Sequence, residues 1–130
     1  MDLLSVIPHD HARQVQATYF VPLVIERGRP IERIMDFGCG NGGSADYFED
    51  VLPHAGWIGL DIVDSSEIRQ RAGCASGRSF CTYNGTLIPF ADSAFDLIYS
   101  NQVFEHVRRP GEVLPEIERV LQSGGHGALR

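Results

Sequence analysis

A glycine-rich segment is the part of the sequence best suited to bind a ligand. It follows a short apolar run and reads Asp36-Phe37-Gly38-Cys39-Gly40-Asn41-Gly42-Gly43. Glycine permits positive φ angles, and without a Cβ it lets a ligand lie directly on the main chain. Gly38, Gly40 and Gly43 match the G-x-G-x-x-G spacing of dinucleotide sites, and Asp61 follows 18 residues after Gly43. The segment predicts a nucleotide- or nucleoside-binding loop, with a purely structural turn as the alternative.

Two carboxylates narrow the choice of ligand. Asp36 precedes the first glycine by two residues, where it would repel a pyrophosphate bound at a helix N-terminus. It suits a ligand that carries an ammonium and a sulfonium but no phosphate, and S-adenosylmethionine is such a ligand. Asp61 ends the next apolar run, where it would accept hydrogen bonds from ribose hydroxyls or simply cap the strand. The pair favours S-adenosylmethionine, and an NAD(P)-binding oxidoreductase remains the alternative.

These residues depend on elements that bring strand ends together. Apolar runs predict strands at 31–37, 57–62, 80–83, 95–100 and 126–129, and helical spacing predicts helices at 9–26, 44–52, 65–72 and 112–122. Pro22 should kink or divide the first helix, and Gly124-Gly125 should end the last one. Strands that alternate with helices indicate an α/β fold, with a Rossmann-like, doubly wound and mostly parallel sheet. Ligands bind such sheets at the carboxyl ends of the strands.

Three ordered stretches resemble the class I S-adenosylmethionine-dependent methyltransferases, in particular the methyltransferase domain 11 type. The first is the glycine-rich segment, and the second is Gly59-Leu60-Asp61-Ile62. The third runs from Asn84 to Ser100 and continues through Phe104-Glu105-His106-Val107. The resemblance covers roughly residues 31–130, which implies a Rossmann-like core there. Because the sequence contains no internal repeat or Pro/Gly-rich linker, we expect a single domain over residues 1–130, with an N-terminal helical segment (1–30) before that core (31–130).

The resemblance also implies a role for each site residue. Asp36 would hold the methionine amino group of the cofactor, Asp61 the ribose hydroxyls, and Ile62 would lie against the adenine. Asn84 stands where the family usually has an Asp facing the adenine amino group, and an amide oxygen still accepts a hydrogen bond but brings no charge. The remaining cofactor-binding residues would be Phe37, Gly38, Gly40, Gly42, Gly85, Ser100 and Asn101.

Asn101 and His106 are the polar candidates for a place near the transferred methyl group. Both follow the fourth predicted strand, at the mouth of the site. A histidine titrates near neutral pH, so His106 is a candidate general base, with a structural role as the alternative. Methyl transfer needs no catalytic nucleophile of the enzyme, because alignment of the acceptor with the sulfonium supplies much of the acceleration. Cysteine and histidine spacings predict no metal site.

Composition bears on partners and location. The chain has 130 residues and a formal net charge of −6, and its basic residues are scattered. Nucleic-acid-binding surfaces usually show a basic stripe, so we expect no nucleic-acid partner. No apolar run is long enough to span a bilayer, and the N-terminus lacks the pattern of a signal peptide. We therefore expect a cytoplasmic protein that contacts no membrane.

The position of the last predicted strand sets a further expectation. A full domain of the family has seven strands, whereas this sequence is predicted to form about five and to stop within the fifth. An unpaired fifth strand invites pairing with another chain, so we expect self-association through that edge. The leading hypothesis is methyl transfer to a small-molecule acceptor. An NAD(P)-binding oxidoreductase and a non-catalytic cofactor-binding module are the alternatives.

Overall fold

A computed structural model of the chain describes Pro22 and residues 30–62, 78–101 and 103–129. Its strands are β1 (Arg33–Phe37), β2 (Gly56–Ile62), β3 (Ser79–Tyr83), β4 (Phe95–Ser100) and β5 (Leu121–Leu129). Its helices are α1 (Ser44–Val51), α2 (Pro110–Val120) and a short 3-10 helix at Phe104–His106. The helices predicted at 9–26 and 65–72 lie outside the described residues, apart from Pro22, which is helical.

The five strands form one sheet in the order β3-β2-β1-β4-β5, and every neighbouring pair is parallel. This confirms the predicted Rossmann-like α/β fold. From β1 the chain moves outward through β2 to β3, and then returns to place β4 on the other side of β1. The strand order therefore reverses between β1 and β4. In open α/β sheets the ligand site lies at the carboxyl ends of the strands at such a reversal.

Apolar clusters cover both faces of the sheet. Because side chains alternate along a strand, β1 sends Met35 and Phe37 to one face and Ile34 to the other. The first face packs against α2, and its buried residues are Met35, Phe37, Leu60, Tyr83, Ile88, Phe95, Ile98, Val113, Ile117 and Val120. The second face packs against Phe48 of α1. Burial on both sides explains why the central strands read as nearly continuous apolar runs.

The junction between α2 and β5 differs from the prediction. The helix ends at Val120 rather than Gln122, and Leu121 already pairs with Phe95 of β4. The next aligned pair is Leu97 with His126, so residues 122–125 bulge out of the ladder. The prediction that Gly124-Gly125 ends the helix was therefore wrong, because these glycines lie within β5. Leu121 packs against the same apolar cluster as the helix, so periodicity alone does not locate the helix end.

Asp96 ties the amino ends of β1 and β4 together. Its Oδ2 accepts hydrogen bonds from the main-chain amides of Glu32 and Arg33, at 3.0 and 2.9 Å. This side chain lies at the end of the sheet opposite the glycine-rich segment and sets where β1 begins. In the described part of the chain, no helix is long and apolar enough to cross a membrane.

Candidate functional site

The glycine-rich segment crosses the carboxyl end of β2. The amides of Gly38 and Cys39 both donate to the carbonyl oxygen of Leu60, at 2.7 and 3.1 Å. The amide of Gly40 donates to Oδ2 of Asp61 at 3.0 Å. The main chain of this loop is therefore fixed, and the Asp61 carboxylate lies directly beside it.

Two of the loop glycines are required by packing within the domain. A Cβ on Gly38 would lie 2.3 Å from Cγ2 of Val103, and one on Gly42 would lie 2.7 Å from Cζ of Phe80. Both distances are far below van der Waals contact, and Gly38 and Gly42 also have φ angles of 72° and 84°. At these two positions the missing Cβ makes room for another side chain, while the main chain adopts a conformation that favours glycine.

Asp36 is buried on the face of the sheet that carries α1, with 4% of its surface exposed. The hydroxyl of Ser44, the first residue of α1, donates to Oδ2 of Asp36 at 2.5 Å. The indole N–H of Trp57 on β2 donates in turn to Oγ of Ser44 at 3.2 Å. Sequence analysis identified Asp36 but neither Ser44 nor Trp57. Their connection depends on the packing of α1 against β2, which residue types and spacing do not indicate.

Ser100 joins the carboxyl ends of β1 and β4. Its hydroxyl is buried and donates to the carbonyl oxygen of Phe37 at 2.9 Å. The Phe37 ring is fully buried on the α2 side of the sheet, where it stacks on Phe104 with ring centroids 5.6 Å apart. The Phe37 side chain is therefore not available to a cofactor, and only the main chain of this residue is left for the predicted contact. Asn101 follows Ser100 at the end of β4 and is half-buried.

The loop after β3 is built around Asn84. Its Oδ1 accepts hydrogen bonds from the amide and hydroxyl of Thr86, both at 3.0 Å, and from the amide of Leu87 at 2.9 Å. The amide oxygen that we expected to face the adenine amino group is thus already engaged in a local turn. The contact with the adenine amino group stays a prediction, and the Asn84 –NH₂ group cannot replace the oxygen in it, because that group only donates. Nothing lies within 4 Å of a Cβ placed on Gly85.

Two large apolar side chains lie exposed at this end of the sheet. Ile62, at the end of β2, is 44% exposed, and Leu87 in the loop after β3 is 64% exposed. Ile62 is the last residue of β2, and Leu87 lies shortly after the end of β3, the strand that pairs with β2. Such side chains suit a flat apolar ligand such as an adenine ring. With 64% of its surface exposed, Leu87 is not a core residue.

Arg119 of α2 holds the segment between Ile88 and Asp92. It donates to the carbonyl oxygens of Ile88 and Phe90, both at 2.9 Å, and pairs with Asp92 at 2.8 Å and with Glu116. The hydrogen bonds that Arg119 donates to Asp92 and, with a smaller effect, to Glu116 raise the pKa of Arg119 above its usual value. This residue was missed in the sequence, where it reads as an ordinary exposed charge of an amphipathic helix.

Tyr83, at the end of β3, is electrostatically coupled to the site. Burial of the phenol, followed by the charge of Asp61, raises the pKa of Tyr83 to about 12. Ionisation of Tyr83 would place a second negative charge near Asp61. The tyrosine is therefore neutral at physiological pH.

His106 lies on the 3-10 helix after β4, and 80% of its side chain is exposed. Its Nε2 is 3.4 Å from Oε1 of Glu105, a weak surface pair that forms only when the histidine is protonated. The structure gives His106 no buried partner that would orient it, and its catalytic role stays a prediction. Among residues 30–62, 78–101 and 103–129, no three His, Cys, Asp or Glu side chains are placed to hold a metal ion.

Comparison with known proteins identifies the family. Residues 35–129 match the family model described as a methyltransferase domain. The chain belongs to this methyltransferase family. It is similar to the malonyl-[acyl-carrier protein] O-methyltransferase of Methylococcus capsulatus, with 31% identity over 104 residues that cover 78% of this chain and 38% of the relative. The chain spans 35 to 38% of the length of the first curated relatives that it matches.

Solved structures of other methyltransferases share the fold of this methyltransferase domain. One is the complex of the Haloferax volcanii Trm112 methyltransferase activator with a methyltransferase. It has a TM-score of 0.66 and 26% identity, and the match covers 89% of this chain and 53% of that one. Another is the plantazolicin methyltransferase BpumL, solved in complex with a pentazolic desmethylPZN analog and S-adenosylhomocysteine. Its TM-score is 0.68 at 20% identity, over 83% of this chain and 42% of that one, so it shows the fold alone.

Proposed function

We propose that this methyltransferase domain binds S-adenosylmethionine at the carboxyl ends of β1, β2 and β4, for methyl transfer to a small-molecule acceptor. The observation that carries the proposal is the hydrogen bond from the Gly40 amide to Asp61. It fixes a carboxylate at the end of β2, beside a glycine loop that crosses the strand ends. A carboxylate in this position suits the two hydroxyls of a ribose.

The residues present fit the chemistry of S-adenosylmethionine. Asp36 and Asp61 bring negative charge to the ends of β1 and β2, and the cofactor carries an ammonium and a sulfonium. Ile62 and Leu87 offer exposed apolar surface for an adenine. Membership of a methyltransferase family supports the same ligand, and the matches give no support to the NAD(P)-binding alternative.

The domain's own residues would act mainly by binding and orientation. S-adenosylmethionine supplies an electrophilic methyl group on a sulfonium when it is bound. Asp61 and the main chain of the glycine loop hold the nucleoside, while the Asp36 carboxylate and the carbonyl groups at the end of β4 hold the ammonium. Holding the sulfonium in line with the acceptor is itself a source of rate acceleration. Asn101 and His106, after β4, are the residues proposed to contact the acceptor or to take its proton.

The proposal extends to the setting of the domain. A small-molecule acceptor and the absence of a nucleic-acid partner fit the net charge of −6. We place the protein in the cytoplasm, and we treat residues 1–130 as one domain in which 1–30 is a helical segment. A non-catalytic cofactor-binding module remains the alternative hypothesis.

Calorimetric titration of the chain with S-adenosylhomocysteine and, separately, with NAD tests the cofactor. We expect binding of the first ligand only. Asp61→Ala should weaken it by about 1–3 kcal/mol, the usual effect of leaving hydrogen-bonding groups unpaired. Glu118→Ala is the matched control, since Glu118 is an exposed carboxylate on α2. Binding of NAD without S-adenosylhomocysteine would refute the proposal, and unchanged affinity in Asp61→Ala would reduce Asp61 to a strand cap.

A further inference from the structure

Three side chains from three different elements form a chain of hydrogen bonds beneath the glycine loop. Trp57 of β2 donates to Ser44 of α1, and Ser44 donates to Asp36 of β1, at 3.2 and 2.5 Å. The Asp36 end of this chain is buried.

The direction of these hydrogen bonds is fixed by the groups involved. An indole N–H only donates, so Oγ of Ser44 accepts from Trp57. A serine hydroxyl has one proton, and that proton is therefore directed at Oδ2 of Asp36. Asp36 receives a charge-assisted hydrogen bond, which is stronger than one between neutral groups. One carboxylate oxygen is thereby held in a set direction relative to the loop.

The Trp57 ring is itself held by its surroundings. It contacts Phe80 edge to face, with ring centroids 5.6 Å apart. A Cβ on Gly59 would lie 2.7 Å from Cη2 of Trp57, so the indole occupies the space that this glycine leaves open. Because packing restrains the indole, the N–H reaches Ser44 without ordering a mobile side chain. The direction of the Asp36 carboxylate is thus set by rigid elements.

We propose that Ser44 and Trp57 are positioning residues that orient the Asp36 carboxylate toward the ammonium group of the bound ligand. The proposal rests on the proposed function, and it concerns only the amino-acid part of the cofactor. Without the Ser44 proton, Oδ2 of Asp36 loses a hydrogen bond that restrains the rotation of the carboxylate. The effect should reach ligands that carry an ammonium group and spare those that lack one.

A pair of ligands separates orientation of Asp36 from general support of the fold. S-adenosylhomocysteine carries the amino-acid part, whereas 5′-methylthioadenosine has the same adenosine and thioether without it. In calorimetric titrations of the full chain, Ser44→Ala should weaken S-adenosylhomocysteine binding about tenfold and Trp57→Phe about threefold, as expected for loss of a hydrogen bond to a charged group and of a neutral one behind it. Affinity for 5′-methylthioadenosine should stay within about twofold of the wild type, since this ligand has no ammonium group to form a charge-assisted hydrogen bond with Asp36.

One further variant acts as the control, and one test variant guards against misfolding. Ser44→Thr keeps the hydroxyl and should retain the affinity of the wild type for both ligands. Trp57→Phe keeps an aromatic ring against Phe80, so it tests the proposal even if Ser44→Ala does not fold. Thermal melts without ligand show whether each variant is folded.

The outcomes distinguish the two levels of the proposal. Equal losses for both ligands would show that Ser44 and Trp57 only support the fold, and unchanged S-adenosylhomocysteine binding in both variants would show that Asp36 needs no orientation. Either result overturns the positioning role while leaving the proposed cofactor intact. A wild-type chain that binds neither ligand would instead contradict the proposed function.

Discussion

Gly38→Ala should destabilise the domain strongly, and the structure allows its effect to be divided into two parts. Gly38 has a φ of 72°, and holding an alanine in this left-handed region costs about 1–2 kcal/mol. The new Cβ would lie 2.3 to 2.9 Å from three carbon atoms of Val103. Overpacking of this kind costs about 1–3 kcal/mol. We expect a total loss of about 2–5 kcal/mol, a large share of the stability of an ordinary domain.

Gly85→Ala is the matched control for the backbone part. Gly85 has a φ of 96°, and a Cβ there meets nothing within 4 Å. This variant should therefore lose only the conformational part, about 1–2 kcal/mol. The difference in unfolding free energy between the two variants isolates the contact with Val103.

Urea unfolding of both variants, with the slope and the midpoint fitted separately, measures this difference. Val103→Ala removes the two γ-carbons at 2.3 and 2.5 Å, so combining it with Gly38→Ala should recover part of the loss. The double variant and the two single ones complete a cycle that gives the coupling energy. Equal destabilisation by Gly38→Ala and Gly85→Ala, with no coupling to Val103, would refute the packing argument.

Two other predictions follow from features outside the glycine loop. The pKa of Tyr83 is raised from 10.0 to about 12, so the stability that its neutral phenol contributes is complete below pH 10 and is lost as the pH rises from 10 to 12. Alkaline unfolding curves of the wild type and Tyr83→Phe check this prediction. Identical pH dependence of the two proteins would contradict it. Asp96→Ala should destabilise the fold by about 2–4 kcal/mol because it leaves the amides of Glu32 and Arg33 without their acceptor, whereas binding of S-adenosylhomocysteine to the folded fraction should not change.

The sheet could be predicted well because its signal is local. The strand Phe95–Ser100 was predicted at the bounds that the structure shows, since a short apolar run lies there between polar turns. The end of α2 was not, because Val120 and Leu121 pack on the same cluster while the backbone changes conformation between them. An apolar pattern indicates which residues are buried. It indicates less well whether the backbone at those residues is helical or extended.

The candidate site was predictable to the extent that residue types define it. Two carboxylates and a glycine loop at strand ends can be recognised from spacing alone, and the structure places the Gly40 amide on Asp61. The support provided by Ser44 and Trp57 depends on how α1 packs against β2, which the sequence does not state. Asn84 shows a third case: its chemistry allowed an adenine contact, but a local turn engages the same oxygen.

The contacts of Arg119 have a consequence for the order in which the site forms during synthesis. The carbonyl groups of Phe90 and Ile88 precede Arg119 by 29 and 31 residues. At about 5–20 residues per second, a ribosome needs roughly 2–6 s to add that length of chain. Throughout this interval the carbonyl groups of Ile88 and Phe90 lack their hydrogen-bond donor, because Arg119 has not yet been synthesised, although β1, β2 and β3 have. The loop that follows Asn84 at the carboxyl end of β3 is therefore fixed only after β1, β2, β3 and β4 have all been synthesised.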